Sequence, residues 1–327
     1  MCIALLSTSH PQYPFILLSN RDEVLSRPTD TVHWWDAPND FVLGGRDTQR
    51  AERGTWLGIT KQGRIAILTN FREEGVEVSR EKSRGGIPNA YLTGPPEENP
   101  DEFAARLMRD VGVNDVGGFT LLFGELRAPT SDGTRPGLSL LSNRSASAAD
   151  LKHIATKEGE THGLSNSHFG DTSWPKVVQG KKLLEQAIKE HAYGEHCSPS
   201  DFIKKLFDIL SVDNLRQREP GEDWDVYVRQ MRNSILIPPV KGKAAPEVEV
   251  KGELEEGRND MTTAEHARVD EGGSGAGYGT QKQTVVLVDR GGHVQFSERT
   301  LYDDRGRRIP DGEGEKSFRF QIDGWKG

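Results

Sequence analysis

The sequence is short of cysteine, of basic charge and of long apolar runs. Cys2 and Cys197 are the only cysteines among 327 residues, which argues against a disulfide framework and favours a reducing compartment. The chain has 42 basic and 50 acidic residues and a net charge of −8, whereas a general nucleic-acid-binding protein is expected to carry a basic patch or a basic balance. No apolar run approaches the roughly 20 residues that span a bilayer, so the sequence predicts no integral membrane segment.

A metal-binding pattern and a targeting signal are missing as well. Nine histidines are scattered along the chain, and with two cysteines they form no cluster of the spacing typical of a metal site. No basic segment precedes the first apolar stretch, unlike in a secretory signal. We therefore predict a cytoplasmic protein that requires no metal and no organic cofactor and binds no nucleic acid. The oligomeric state is not predicted.

Short apolar runs bounded by turn residues predict β-strands near both ends of the chain. Runs at 3–6 and 15–18 predict two strands joined by a turn, and the stretch 54–70 predicts a hairpin. Further strands are expected at 119–123 and 138–141. Near the C-terminus, runs at 284–289 and 293–299 predict another hairpin, which we expect to pair with the N-terminal strands because an isolated hairpin is only marginally stable.

Three segments have the apolar spacing of amphipathic helices. The first lies at 101–112, where Gly112 is a stop signal, and the second begins at Pro175, a residue favoured at the first helical position. The third covers 202–210, and Ser200 and Asp201 are its expected cap. Residues 241–277 are charged and poor in large apolar side chains, so they are predicted to be a disordered insertion in a single domain spanning 1–327.

Cys2 directly follows the initiator methionine. If Met1 is removed, Cys2 carries a free α-amine beside its thiol, which makes a nucleophile with a built-in base. The reference pKa of an α-amine is about 7.7–8.0, low enough to accept the thiol proton near neutral pH. The alternative is that Cys2 is a small buried hydrophobic residue on the first strand, which is a common role of a free cysteine.

Several short motifs occur in the order of one family's signature. They are the cysteine at position 2, SNRDE at 19–23, GGRD at 44–47, GTWLGI at 54–59, LTNFRE at 68–73, SRG at 83–85, LSN at 164–166 and YGTQKQTVVLVD at 278–289. With this set the chain resembles the NRDE family, also called the Transport and Golgi organization protein 2 family, over nearly its whole length except 241–277.

The resemblance implies the fold of the N-terminal-nucleophile hydrolases. This fold is of the α+β class and has a four-layer αββα order, with two antiparallel sheets between layers of helices. The bile-salt and penicillin acylases, which the chain resembles more distantly, use an N-terminal cysteine, an aspartate on the second strand and two asparagines. The matching catalytic residues here are Cys2, Asp22, Asn70 and Asn166, and the expected binding residues are Asn20, Arg21 and Arg46.

The implied roles follow ordinary acyl-transfer chemistry. Asp22 is expected to orient the α-ammonium, while the amides of Asn70 and Asn166 are expected to stabilise the oxyanion, for which one donor contributes about 2.7–4 kcal/mol. Asn20 and Asp22 share one face of their strand because side chains alternate. The acylases have an arginine two or more residues before the aspartate, whereas Arg21 is directly adjacent to Asp22. This departure weakens the case for amide hydrolysis.

Structural interpretations of the same residues stay open. The asparagines and Asp22 are also common in turns and caps. Arg46 and Asp47 are expected to form a structural ion pair, and two histidines six residues apart, at 162 and 168, are weak evidence for a ligand site. Trp34, Trp35 and Trp56 are expected in the core, with a pocket wall as the alternative.

Three functional classes remain open. The first is a hydrolase with an N-terminal cysteine nucleophile, acting on a small acyl amide or thioester. The second is a non-catalytic binding or trafficking factor for an acyl, lipid or haem ligand, since fold alone does not determine function. The family resemblance associates this class with Golgi organisation and secretion, and with the Golgi or mitochondria as locations. The third is a protein lipid-anchored on Cys2, which lacks the nearby basic cluster that stable anchoring usually needs.

Overall fold

The computed structural model describes residues 2–71, 84–110, 112, 117–194, 198–240 and 277–325. Nearly all of the predicted insertion, 241–277, lies outside these residues. The described residues form two antiparallel sheets and five α-helices. Among them, no helix has both the length and the apolar character to cross a membrane.

Two antiparallel sheets form the inner layers of the fold. The first sheet has six strands, in the spatial order β10 (Thr161–Ser165), β1 (Ile3–Ser7), β2 (Phe15–Val24), β11 (Tyr278–Val288), β12 (His293–Thr300) and β13 (Glu315–Gln321). The second sheet has seven, in the order β3 (Thr29–Trp34), β4 (Val42–Asp47), β5 (Leu57–Thr60), β6 (Arg64–Asn70), β7 (Phe119–Glu125), β8 (Leu138–Ser142) and β9 (Lys152–Ile154). Side chains alternate along β1, so Ala4 and Leu6 pack against the second sheet while Ile3 and Leu5 face the opposite way.

Helices cover the outer face of each sheet. The first sheet packs on α3 (Pro175–Tyr193) and α4 (Pro199–Leu210), and the second sheet packs on α1 (Gly86–Leu92) and α2 (Pro100–Asp110). The order of layers is therefore α, β, β, α, which confirms the predicted α+β class and four-layer sandwich. The short helix α5 (Trp224–Gln230) lies at one end of the first sheet, where its Tyr227 shares a small apolar cluster with Tyr278.

The two chain ends meet in the first sheet, as the apolar runs predicted. The C-terminal strand β11 pairs with β2, with Val285 opposite Leu18 and Thr280 opposite Asp22. Val240 and Tyr278, which flank the segment 241–277, form a bridge in which the Val240 amide donates to the Tyr278 carbonyl at 2.8 Å. The register shifts between Thr280 and Lys282, and this bulge lies beside the candidate site described below.

The helix predictions are confirmed in position, with one correction at a cap. Helix α3 begins at Pro175 as predicted, and its internal Gly180 lets the helix approach β1, since an added Cβ would lie 2.7 Å from Leu5 Cδ1. The cap of α4 is Ser198, not the predicted Ser200 and Asp201. Pro199 fits the first helical position, so the cap falls one residue before it, and Asp201 completes a capping box.

Candidate functional site

A pocket of about 400 Å³ opens beside Cys2 and is lined by residues from both sheets and from the segments around α3 and α5. The four predicted catalytic residues, Cys2, Asp22, Asn70 and Asn166, all line it. They come from the chain start, the end of β2, the end of β6 and the residue after β10. The fold thus brings together side chains that are far apart in the sequence.

The position of Cys2 is set by pairing of β1 on both sides. Ile3 lies opposite Asn20 of β2 and opposite Ser165 of β10, so Cys2 is held at the end of a central strand. Ser165 Oγ donates a hydrogen bond of 2.6 Å to the Cys2 carbonyl, and the half-buried thiol lies 3.8 Å from the backbone carbonyl of Asp22. Burial raises the pKa of the Cys2 thiol, and the charge of Asp22 raises it further.

Asp22 is buried, and its two carboxylate oxygens have different partners. Thr280 Oγ1 donates to Oδ1 at 2.6 Å, while Oδ2 lies 3.9 Å from the ammonium of Lys176. The Thr280 hydroxyl in turn accepts from the Ile237 amide at 2.8 Å, which orients it toward Asp22. The carboxylate is therefore held in one orientation at the floor of the pocket.

Asn166 connects the two sheets at the pocket. Its side-chain amide donates to the backbone carbonyl of Asn70, the last residue of β6. The side-chain oxygen of Asn70 is buried and has no hydrogen-bond partner in the described part of the chain. Because buried polar atoms are almost always paired in folded proteins, an unpaired amide oxygen at a pocket wall is a candidate acceptor for a donor on a bound ligand.

Arg21 forms the other side of the pocket. Its guanidinium stacks at 4.4 Å from the ring centroid of Trp56 and donates a 2.6 Å hydrogen bond to Gln281, the residue at the β11 bulge. The glycine pair of β4 makes room for this stack, because an added Cβ on Gly45 would lie 2.8 Å from the Trp56 ring. The GGRD, GTWLGI and YGTQKQ motifs therefore meet around one arginine.

The charges that line the pocket are mainly positive. In the described residues, five arginines and three carboxylates contribute to the lining: Arg21, Arg27, Arg84, Arg229 and Arg232, and Asp22, Glu23 and Asp47. Trp56, Leu68, Phe71, Trp174 and Val228 supply apolar surface. A pocket of this composition suits a ligand with an apolar part and an anionic group, although the whole chain carries a net charge of −8.

Two predicted binding residues lie away from the pocket. The fully buried Asn20 donates to the carbonyls of Leu210 and Ile235 at 2.8 and 2.9 Å, which ties β2 to the end of α4. Arg46 stacks 4.2 Å from the Trp35 centroid and donates to the Arg53 carbonyl. Neither residue is part of the pocket wall.

The predicted ion pair between Arg46 and Asp47 is wrong. Asp47 instead pairs with Arg27 at 2.6 Å, because neighbouring residues on β4 project to opposite faces of the sheet. Of the two histidines flanking Asn166, His162 binds Glu160 at 2.6 Å. No group of three metal-ligating side chains occurs in the described segments.

Lys176 was not among the predicted site residues. It lies in the first turn of α3 with no exposed surface, beside Asp22. A signal for its burial exists in the sequence, because Lys176, Gly180, Leu184 and Ile188 recur at four-residue spacing on the buried face of α3. A lysine within such a stripe is a candidate for a buried charge.

The chain matches the sequence profile of the family described as Transport and Golgi organisation 2 over residues 1–303. A human protein named Transport and Golgi organization protein 2 homolog is 27% identical over 296 residues, which cover 89% of this chain and 88% of that protein. An uncharacterized protein of Saccharomyces cerevisiae is 26% identical over 348 residues, covering 98% of this chain and all of that protein.

The match to solved structures is more distant. The N-acylethanolamine-hydrolyzing acid amidase ortholog of Caenorhabditis elegans has a TM-score of 0.42 and 11% identity, and the match covers 66% of this chain and 88% of that one. The assignment of the four-layer architecture rests on the sheet order and helix layers of this chain itself.

Proposed function

Because the chain belongs to the Transport and Golgi organisation 2 family, and because its N-terminal cysteine lines a pocket with an aspartate and two asparagines, we propose that it is a hydrolase with Cys2 as nucleophile, acting on a small acyl amide or thioester. The observation that carries the proposal is the convergence of Cys2, Asp22, Asn70 and Asn166 on one pocket of about 400 Å³. Four residues from four separate segments are combined with space for a small acyl group.

The proposed reaction begins with removal of Met1, which frees the α-amine of Cys2. This amine accepts the thiol proton, and the thiolate attacks the acyl carbonyl carbon. The tetrahedral oxyanion is stabilised by donors at Asn70 and Asn166, after which the proton passes from the α-ammonium to the leaving amine or thiolate. The amine, or thiol, departs and leaves an acyl thioester on Cys2. Water then attacks this thioester, which releases the carboxylic acid and regenerates the thiol.

The arginine-rich wall supports a substrate with an anionic group. Arg21 and Arg84 are buried, whereas Arg229 and Arg232 are exposed at the rim. Trp56 and Phe71 provide apolar contacts for the acyl part. Guanidinium groups bind carboxylate and phosphate in a bidentate manner, so either group on the substrate suits this wall.

A second candidate function is favoured by one observation on Cys2. Burial raises the pKa of the thiol, which keeps it protonated and less nucleophilic at neutral pH. In this alternative the pocket binds an acyl, lipid or haem ligand without turnover, and the protein serves as a binding or trafficking factor in Golgi organisation and secretion. The name of the human relative supports the Golgi association.

The test begins with intact mass and N-terminal peptide mapping of the protein from its own host. The hydrolase requires a mature N-terminus at Cys2, so retention of Met1 in the whole population would refute the self-activated mechanism. Mature protein is then incubated with acyl amides and acyl thioesters of different chain lengths, with and without a terminal carboxylate, beside Cys2→Ser and Cys2→Ala variants.

The expected result is hydrolysis by the mature protein and its loss in Cys2→Ala. Hydrolysis that persists in Cys2→Ala rules Cys2 out as nucleophile. If the mature protein and Cys2→Ala both bind the same compounds saturably and neither forms product, the result supports the binding factor instead.

A further inference from the structure

Lys176 is a cation in a position that is unfavourable for positive charge on two grounds. It has no exposed surface, and transferring an ammonium from water into a protein interior is costly unless it is paired. It also lies in the first turn of α3, where the helix dipole disfavours a cation. Burial accordingly lowers the pKa of Lys176.

The compensating charge belongs to the candidate active site. Asp22 Oδ2 lies 3.9 Å from the ammonium, and the Asp22 side chain is as deeply buried as that of Lys176. Thr280 donates to the other carboxylate oxygen at 2.6 Å. The carboxylate therefore lies between a hydroxyl donor and an ammonium.

Cys2 lies within the electrostatic range of the same ammonium. The negative charges of Asp22 and of the Cys2 thiolate both act on Lys176 and raise its pKa. The interaction is reciprocal, so the ammonium lowers the pKa of the thiol and opposes the effect of burial. The α-ammonium of the chain and Arg21 act on the thiol in the same direction, and the charge of Asp22 acts against them.

The close packing of α3 on the first sheet maintains this arrangement. An added Cβ on Gly163 of β10 would lie 2.8 Å from Val177 Cγ1, and one on Gly180 would lie 2.7 Å from Leu5 Cδ1. The two glycines, one on the helix and one on the sheet, thus allow close packing of α3 on the first sheet, which places Lys176 beside Asp22.

We propose that Lys176 is a positioning residue of the candidate active site, whose ammonium holds the Asp22 carboxylate in place and stabilises the thiolate of Cys2. The proposal rests on the proposed function in treating Cys2 as the reactive group. Its readout, the reactivity of the Cys2 thiol, does not require that the protein turn over any substrate.

The experiment measures alkylation of Cys2 by iodoacetamide between about pH 6 and pH 10, a range that brackets thiol titration. Modification is quantified by mass spectrometry on the N-terminal peptide, so that Cys197 does not contribute. The proteins compared are the wild type, Lys176→Met and Lys176→Arg, all with the same N-terminus as defined by intact mass. The methionine variant removes the charge, and the arginine variant keeps it.

Removing a positive charge near a thiol raises its pKa, and the thiolate fraction below the pKa changes tenfold per unit. We therefore expect Lys176→Met to alkylate more slowly than the wild type near pH 7.5, with its titration midpoint moved to higher pH. Lys176→Arg is expected to stay close to the wild type. Lys182→Met on the exposed side of α3 is the matched control, and it is expected to leave the alkylation profile unchanged.

A double variant keeps the test decisive if Lys176→Met is poorly folded. Lys176→Met removes a cation from beside the buried Asp22 carboxylate, which is destabilising, whereas Asp22→Asn combined with Lys176→Met removes both charges. We expect the double variant to melt at a higher temperature than Lys176→Met. Its reference is Asp22→Asn, which keeps the ammonium, and the thiol of the double variant should titrate at a higher pH than that of Asp22→Asn because the two proteins differ only in the Lys176 charge.

The proposal is overturned if folded Lys176→Met has the alkylation midpoint of the wild type, or if the double variant has the midpoint of Asp22→Asn. Lys176 would then be a structural residue only. The proposed function can fail separately, because absence of hydrolysis by the wild-type protein leaves the alkylation profile of Cys2 fully measurable.

Discussion

The side-chain amide of Asn166 donates a hydrogen bond to the backbone carbonyl of Asn70, and this contact joins the two sheets at the mouth of the pocket. Asn166 follows β10 of the first sheet, while Asn70 ends β6 of the second. The side-chain oxygen of Asn70 has no hydrogen-bond partner in the described part of the protein. Asn166 therefore uses one of its two amide hydrogens in a structural bond, and the Asn70 side-chain oxygen is an acceptor left for a donor on a ligand.

The first prediction concerns the effect of Asn70→Ala on stability and on the rate of the proposed reaction. The substitution removes no hydrogen bond of the Asn70 amide oxygen, so we expect it to change the free energy of unfolding by less than about 1 kcal/mol. If the side-chain NH2 of Asn70 donates to the oxyanion, kcat falls by about 10²–10³-fold. Urea unfolding and steady-state kinetics on the same preparation measure the two effects.

Asn20→Ala is the matched control, because the same residue type then changes outside the pocket. It removes two buried donors from the carbonyls of Leu210 and Ile235, which should lower the free energy of unfolding by about 2–4 kcal/mol. The folded Asn20→Ala protein should retain most of its kcat. An unchanged kcat in Asn70→Ala, or an equal loss of kcat in folded Asn20→Ala, would contradict the assignment of Asn70 to the site.

The second prediction concerns His10 and acid stability. His10 Nδ1 accepts from the amides of Gln12 and Tyr13 at 3.0 and 3.1 Å, and Nε2 lies 2.7 Å from His191 Nδ1. Since Nδ1 accepts, the neutral ring carries its proton on Nε2 and donates it to His191. Burial, aided by His191, lowers the pKa of His10 to about 4.

The sign of the effect follows from proton linkage. The unfolded chain binds a proton at His10 near pH 6.5, whereas the folded protein resists it until about pH 4. The contribution of His10 to the free energy of unfolding is therefore complete above pH 6.5. As the pH falls toward 4, the free energy of unfolding decreases by up to about 3 kcal/mol. We expect this slope in urea unfolding experiments at a series of pH values. In His10→Asn, whose Oδ1 can accept from the same amides, the slope should flatten, and an unchanged slope would show that other groups cause it.

The third prediction tests the corrected cap of α4. Ser198 Oγ accepts from the Asp201 amide at 3.2 Å, and Asp201 Oδ2 accepts in return from the Ser198 amide at 3.3 Å. Ser198→Ala should therefore cost about 1 kcal/mol of stability. Ser200→Ala, at the residue that the sequence pattern favoured, should cost clearly less. The reverse order in thermal unfolding would restore the original prediction.

Strands and helices were predicted correctly from the sequence where the local pattern of apolar residues and proline determines them. The strands at 3–6 and 15–18 and the helix starting at Pro175 follow from apolar spacing and from the fixed φ of proline. The pairing of β11 with β2 was also predictable, because neither terminal hairpin can bury its apolar face alone. The family motifs also led to the prediction that Cys2 and Asp22 lie at one site, and both residues line the pocket.

Partners chosen by tertiary packing were not predictable. Asp47 has Arg46 as its sequence neighbour, yet it pairs with Arg27 across the chain, because strand geometry separates neighbours to opposite faces. Asn20 shares a face with Asp22 as expected, but the end of α4 covers it and keeps it from the pocket. The burial of Lys176 was not predicted because most lysines are solvent-exposed. Only the packing of α3 on the sheet buries this one.

The fourth prediction tests that packing through Gly180→Ala. Alanine favours the helix by about 0.8–1.0 kcal/mol over glycine, but its Cβ would lie 2.7 Å from Leu5 Cδ1, and Leu5 is fully buried. Overpacking of this kind costs about 1–3 kcal/mol, so we expect a net loss of stability and a displacement of the N-terminal turn of α3 away from Asp22. The alkylation rate of Cys2 should then fall, as in Lys176→Met but by a smaller factor.

Gly86→Ala is the matched control for this substitution. Gly86 begins α1, and a Cβ added there would meet nothing within 4 Å. Helix propensity acts there without a clash, so thermal unfolding should show unchanged or higher stability, by up to about 1 kcal/mol. If Gly180→Ala stabilises the protein as Gly86→Ala does, the core around Leu5 accommodates the extra methyl group, and close approach at Gly180 is not what holds Lys176 beside Asp22.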